Sequence, residues 1–244
     1  MSPHWKRPPL PEETFTDRFG EGEGELLTLA YPKPLPMRLD RWLVSQRTEQ
    51  SRARIQKFID AHFLSPKVVD DENSVLSCFT KLKDDNRTID LLFNNAGIID
   101  WEDMNAVTFD SLEKVYRTNL IGALLVLRAS LPCLRKSTDP LVINLSSRLG
   151  SISLRGNSQL GGAIAYQCSK AALNMLTKQA SIDLAALGIR VISLSPGWVR
   201  TEMGGSEAKY EVRESVRLML QTLDNLNSGD SGVFLGEDGS KISW

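Results

Sequence analysis

Apolar runs alternate with amphipathic stretches along the second half of this chain. Ile89–Phe93 is a short apolar run closed by Asn94-Asn-Ala-Gly97. A helical pattern follows through Leu112–Leu134, and Leu141-Val-Ile-Asn-Leu145 then ends in Ser146-Ser147. A second helical pattern spans about Ala165–Leu187, with Gly188 as its stop, and leads into Ile189–Leu194. Strands without a polar face, alternating with helices, predict a parallel sheet covered on both sides. The expected fold class is therefore α/β, a parallel sheet with flanking helices. In such sheets chemistry collects at the carboxyl ends of the strands, where the polar clusters of this sequence fall.

The pattern upstream is different. Leu39, Trp42 and Leu43 share one helical face, and Ser51 can cap a second helix whose apolar face holds Ile55, Phe58 and Ile59. This predicts a small helical hairpin over 37–65, with six basic residues against three acidic ones. Residues 1–36 hold seven of the eleven prolines and the run Gly20-Glu-Gly-Glu-Gly-Glu25, so little packed structure is expected beyond a candidate strand at Leu26–Tyr31. The chain divides accordingly into an irregular segment (1–36), a helical segment (37–65) and an α/β domain (66–244).

Composition narrows the classes of function. Lys and Arg total 29 against 30 Asp and Glu, so the whole chain is not a polycation for bulk nucleic-acid binding. No run approaches the roughly 18 apolar residues of a membrane helix. Cys78, Cys133 and Cys168 are scattered, without metal-ligand spacing, and read as reduced thiols. The start of the chain has no apolar core of a secretory signal. A cytoplasmic setting follows, with no membrane and no metal.

The candidate chemistry centres on Tyr166-Gln-Cys-Ser-Lys170, which places a phenol and an amine on one helix face a turn apart. Ser147 ends a strand 19 residues upstream, Asn119 lies in the preceding helix, and Pro196-Gly197 with Val199 and Thr201 follows the next strand. Each piece has a plain structural reading: the serines as a strand-end turn, Asn119 as a helix cap, Tyr166 as a satisfied core aromatic. Together, and in this order, Asn94-Asn-Ala-Gly97, Thr118-Asn119, Asn144-Leu-Ser-Ser147, Tyr166-x-x-x-Lys170 and Pro196-Gly-Trp-Val-Arg-Thr201 resemble the short-chain dehydrogenase/reductase family. Gly161-Gly-Ala-Ile-Ala-Tyr166 and the ending Asp238-Gly-Ser-Lys-Ile-Ser-Trp244 look like its C-factor and sniffer-type carbonyl reductases.

The resemblance covers about Val69–Trp244. It implies a Rossmann-like domain that binds NADP or NAD and moves a hydride between the cofactor and a small-molecule carbonyl or alcohol. It assigns Tyr166 as acid/base, Lys170 as its electrostatic tuner and holder of the nicotinamide ribose, Ser147 as donor to the substrate oxygen, and Asn119 as a kink in its helix that holds a water. Val199 and Thr201, on the turn of Pro196 and Gly197, would grip the nicotinamide amide, and Asn94, Ala96 and Gly97 would line the adenosine side. The chemistry suits these residue types. A carbonyl that receives hydride needs a proton as charge forms on oxygen, and a phenol near pKa 10 needs neighbouring positive charge to serve at neutral pH.

The glycine-rich turn that receives a pyrophosphate at a helix N-terminus is not found in residues 1–93. Gly20–Glu25 alternates glycine with glutamate, and Val68 stands where the family carries an adenine-contacting Asp. The expected domain is N-terminally truncated, with weak or lost cofactor binding and an open edge at Ile89–Phe93 that invites a homodimer. The segment in place of the missing units, Met37-Arg-Leu-Asp-Arg-Trp-Leu43 followed by Ser51-Arg-Ala-Arg-Ile-Gln-Lys-Phe-Ile-Asp60, resembles the small α-L RNA-binding domain of pseudouridine synthases. It implies weak, salt-sensitive RNA contact through Arg38, Arg41, Arg52, Arg54 and Lys57, beside the plainer reading of a solvated basic hairpin. Three readings stand: a reductase, a catalytically impaired fusion, or an RNA-binding module with a passenger domain.

Overall fold

Two short strands carry the centre of the molecule because every inward position on them is apolar or a small polar group. The computed structural model describes residues 69, 71–156 and 161–244; the readings for residues 1–68, including Leu26–Tyr31 and the basic hairpin, lie outside them. Strands β1 (Leu91–Asn94), β2 (Leu141–Leu145), β3 (Arg190–Leu194) and β4 (Phe234–Leu235) form one parallel sheet in that spatial order. Leu92, Val142 and Val191 lie in line across the sheet, as do Phe93, Ile143 and Ile192.

Because side chains alternate along a strand, the two rows build two cores. On one face Leu92, Val142 and Val191 pack with Val75, Phe79 and Leu82 of α1 (Glu72–Asp84), with Val126, Leu127, Cys133 and Leu134 of α3 (Ala123–Leu134), and with Ala180 of α4 (Ile164–Asp183). On the other, Leu141, Ile143, Ile192, Leu194 and Leu235 pack with Val216 and Met219 of α5 (Val212–Asp224). The sheet is thus buried on both faces, as the apolar runs require. At roughly 25 cal/mol per Å² of apolar surface removed from water, these two layers are the main stabilising term.

The helices start and stop for local reasons. The Asp71 carboxylate accepts from the Asn73 and Ser74 amides and caps α1. Thr108 and Ser111 form a reciprocal capping box that opens α2 (Phe109–Tyr116). Helix α4 ends four residues before the expected Leu187: it gives way to a tighter turn at Ala185–Leu187, closed by Gly188 at φ 68°. The strand expected at Ile89–Phe93 runs Leu91–Asn94, because the Ile89 amide is taken by the Cys133 carbonyl (3.2 Å) instead of a strand partner. Among the described residues β1 is an edge strand. The helical path Phe109–Leu134 is long and apolar enough by composition to cross a membrane, but half of it is buried, as a core helix should be.

Between α2 and α3, Arg117–Gly122 widens into a π turn with Asn119 inside it. An inserted residue of this kind bends a helix and frees a carbonyl from the regular ladder. Asn119 is therefore not a cap. It sits on the inner wall of a distorted helix and points towards the carboxyl end of β1.

Candidate active site

The turn after β2 and one face of α4 meet at the carboxyl edge of the sheet. Strand β2 hands over to Ser146, Ser147 and a single 3-10 turn, Arg148–Gly150. Ser147 caps that turn, its Oγ accepting from the Leu149 amide at 3.1 Å. Gly150 lies against α4 so closely that a Cβ there would stand 2.7 Å from the backbone carbonyl carbon of Lys170 and 2.9 Å from the Ala171 nitrogen. A residue without a side chain lets the turn settle on the helix, and this brings Ser147 to Tyr166. The Ser147 hydroxyl stands near enough to the Tyr166 phenol to act on its proton affinity.

Tyr166 and Lys170, one turn apart on α4, are only 7% and 4% exposed. The Lys170 ammonium lies 5.6 Å from the centre of the Tyr166 ring and donates to the Leu145 carbonyl at 2.7 Å. Burial sets both proton affinities. It pushes the phenol up from its ordinary value near 10, and the Ser147 hydroxyl pulls it part of the way back. It pushes the Lys170 ammonium down to about 8. At neutral pH the phenol therefore holds its proton and the amine is still mostly charged.

Asn119 closes the inner side. Its Oδ1 accepts from the Ile98 amide (2.8 Å), and its Nδ2 donates to the Ile98 carbonyl (2.9 Å) and to Ser169 Oγ (2.9 Å). Ser169 in turn donates to the Tyr166 carbonyl (2.7 Å). Asn119 thus ties the loop after β1 to the turn of α4 that carries Tyr166. Gly97 belongs to that loop, and a Cβ on it would lie 3.4 Å from Lys170 Nζ and 3.5 Å from Asn119 Oδ1. Ala96 packs against the first core, and Asn94 Nδ2 donates to Asn144 Oδ1 at 2.8 Å.

The loop after β3 is built more loosely. Gly197 takes φ 76°, and a Cβ on it would lie 2.8 Å from the Tyr210 ring. The Pro196 carbonyl accepts from Ser215 Oγ at 2.7 Å, and Val199 pairs with Tyr210 in an isolated bridge. Thr201 is exposed and accepts from the Gly204 amide at 3.1 Å. Asn119, Ser147, Tyr166, Lys170 and Gly97 are thus gathered in one place, whereas Thr201 stands on a separate surface loop.

Comparison with known proteins agrees with the fold. The family model for short chain dehydrogenases matches residues 41–211. The chain belongs to the short-chain dehydrogenase family. The match begins inside the segment with RNA-binding resemblance, so the two readings overlap over residues 41–65. The C-signal protein of Myxococcus xanthus is 39% identical over 157 residues, 64% of this chain and 93% of that protein. An NADPH-bound carbonyl reductase from chicken fatty liver is 35% identical, covering 80% of this chain and 83% of its own, with TM-score 0.70. The carbonyl reductase Sniffer of D. melanogaster is 27% identical, covering 84% and 93%, with TM-score 0.70.

The residues of this short-chain dehydrogenase fit one end of a nicotinamide cofactor. Lys170 spends one of three N–H donors on Leu145, and the missing side chain at Gly97 keeps space beside the ammonium. The phosphate end differs, since the only glycines before Gly97 are Gly20, Gly22 and Gly24. Sequence reasoning also passed over a buried polar row behind the site. Asn144 Nδ2 and Ser193 Oγ both donate to Thr177 Oγ1 (2.9 and 2.8 Å), while Ser146 Oγ donates to Asn174 Oδ1 (2.6 Å). The signal was present, because Asn174 and Thr177 follow Lys170 by four and seven residues on the same helix face.

Proposed function

We propose that the chain is an NADP(H)- or NAD(H)-linked oxidoreductase of small carbonyl compounds and alcohols, with Tyr166 as acid/base. The carrying observation is the buried Tyr166 phenol, with the Ser147 hydroxyl beside it and the Lys170 ammonium one turn along the same helix. The NADPH-bound carbonyl reductase from chicken fatty liver, 35% identical, adds support for the substrate class.

The residues divide the work. The cofactor, when bound, supplies the hydride. Ser147 donates to the carbonyl oxygen and so favours the charge that develops there. Tyr166, kept protonated by burial, delivers the proton to that oxygen. The phenolate left behind is stabilised by the nearby Lys170 ammonium. Lys170 also offers its free donors to the nicotinamide ribose, and Asn119 holds the walls of the site together. Thr201 and the Val199 backbone, on the loop after β3, would hold the nicotinamide amide.

A second reading, a catalytically impaired reductase body, is favoured by one observation: residues 1–93 contain no glycine-rich phosphate turn. Charge-assisted hydrogen bonds contribute about 1.5–3 kcal/mol each, so the loss of two or three weakens cofactor binding by several orders of magnitude. One experiment separates the readings. Purified protein is titrated with NADPH and NADH by calorimetry, then assayed against small aldehydes and ketones by loss of reduced-cofactor absorbance. Turnover at saturating cofactor, abolished by Tyr166→Phe, establishes the first reading. Absence of binding for either cofactor at millimolar concentration removes it.

A further inference from the structure

Of Asn119, Ser147, Tyr166 and Lys170, Ser147 alone stands on a turn instead of a helix, so something must fix its distance from the Tyr166 phenol. One side chain grips both ends of that turn. Ser146 Oγ donates to Asn174 Oδ1 at 2.6 Å, and Asn174 Nδ2 donates to the Gly150 carbonyl at 3.2 Å. Ser146 and Asn174 are 2% and 3% exposed, and Gly150 is buried. Ser147 lies between the two clamped residues.

We propose that Asn174 is a positioning residue, holding the Ser146–Gly150 turn on α4 so that the Ser147 hydroxyl meets the Tyr166 phenol. The inference rests on the reading of Ser147 and Tyr166 as oxyanion donor and acid. The helix makes the device precise. Tyr166, Lys170 and Asn174 recur at intervals of four residues on one rigid face, so the spacing from phenol to clamp is set by helix geometry. A neutral amide can accept from a hydroxyl and donate to a carbonyl from one planar group. Leucine at this position fills similar space and leaves Ser146 Oγ and the Gly150 carbonyl unpaired in a buried place. Aspartate would keep the acceptor for Ser146 and set a carboxylate oxygen against the Gly150 carbonyl.

The test reads the phenol directly. Tyr166 is one of four tyrosines, so its ultraviolet phenolate titration is taken as the difference between each variant and the same variant carrying Tyr166→Phe. In Asn174→Leu the midpoint should rise by about 0.4–1 pH unit, the equivalent of losing one ordinary hydrogen bond. Ser146→Ala, which removes half of the clamp and no buried volume of consequence, should move it the same way by less. Turnover should fall about tenfold in Asn174→Leu with a smaller change in KM for the reduced cofactor, because the clamp bonds the turn and not the Lys170 ammonium. In a Ser147→Ala background, Asn174→Leu should add nothing to the midpoint, since its effect travels through Ser147. An unmoved phenol in both Asn174→Leu and Ser146→Ala overturns the proposal, as does a further rise in the Ser147→Ala background. Should Asn174→Leu not fold, Ser146→Ala alone decides. A wild-type chain that turns over no carbonyl refutes the functional reading, while the phenol titration still decides the positioning.

Discussion

The turn after β2 and the loop after β3 leave the sheet side by side and are held in different ways. The first is buried at its ends: Ser146 and Ser151 are 2% and 0% exposed, and polar groups along it are answered by side chains or carbonyls from elsewhere in the chain. Asn174 answers Ser146 and Gly150, the Ser243 carbonyl accepts from Ser151, and Glu237 faces Arg148 at 3.4 Å. The second is half open: Trp198 is 56% exposed, and Thr201 bonds only within its own loop. A buried polar group without a partner costs about 1–3 kcal/mol, whereas an exposed one finds water. Side-chain identity is therefore fixed on the β2 side by burial. On the β3 side only backbone shape is fixed, chiefly at Gly197.

The largest break in that contrast should come from Tyr166→Phe. Loss of a positioned acid lowers turnover by about 10²–10⁴-fold, with little change in cofactor affinity, because the phenol serves the proton and not the dinucleotide. Steady-state kinetics beside a calorimetric cofactor titration checks both halves. Equal, mild losses in turnover and affinity would make Tyr166 a packing residue. Gly150→Ala comes next. Its Cβ would meet backbone at 2.7 Å, which cannot swing aside as a side-chain tip can. Overpacking of this kind costs about 1–3 kcal/mol, and the turn must lift from α4. The melting temperature should fall by several degrees and turnover should fall with it. A Gly150→Ala variant with unchanged melting and rate would show that the turn floats.

The same contrast explains how much could be read beforehand. Leu141–Leu145 was legible as a strand because Pro140 and Ser146 bound an apolar run, and its limits agree with the structure. Strand β4, two residues between Gly232 and Gly236, is too short to carry a period. Helix α5 hid its inner face because Ser215 and Thr222 share it with Val216 and Met219. Helix α1 had a legible stripe in Val75, Phe79 and Leu82, which the reading missed. At the site, the Tyr166–Lys170 face followed from helical spacing. The partner of Lys170 did not, since it is the Leu145 backbone carbonyl, which no side-chain pattern announces. The clamp by Asn174 joins residues 28 apart in sequence and needed the fold to appear.

A smaller effect concerns the buried amine. Lys170 releases its proton near pH 8 in the folded protein and near its ordinary 10.5 when unfolded. Below pH 8 both states carry the charge, and the folded state bears the full cost of burying it. Between about pH 8 and 10.5 the unfolded chain holds a proton that the folded one has lost, so stability rises with pH across that window. Lys170→Met removes this dependence. From pH 7.5 to 9.5 the wild type should gain about 1–2 kcal/mol relative to Lys170→Met in urea unfolding. A flat difference across that range would mean that the ammonium is solvated, and that the Leu145 contact is not the buried one described.

Thr201→Val should have the least effect, and it probes the open side of the comparison. Its hydroxyl accepts from the Gly204 amide at 3.1 Å and reaches the Val199 carbonyl only at 3.4 Å, and because Thr201 is exposed water can replace both bonds. Melting should not move. If the hydroxyl donates to the nicotinamide amide, its loss removes one neutral hydrogen bond, about 0.5–1.5 kcal/mol. That amounts to a few-fold rise in KM for the reduced cofactor at unchanged turnover. Steady-state kinetics at varied cofactor, beside a thermal melt, measures both. A hundredfold loss would place Thr201 among the fixed residues and erase the distinction between the two loops. No change at all would leave the grip on the amide to the backbone at Val199, the part of this loop that pairing with Tyr210 already holds in shape.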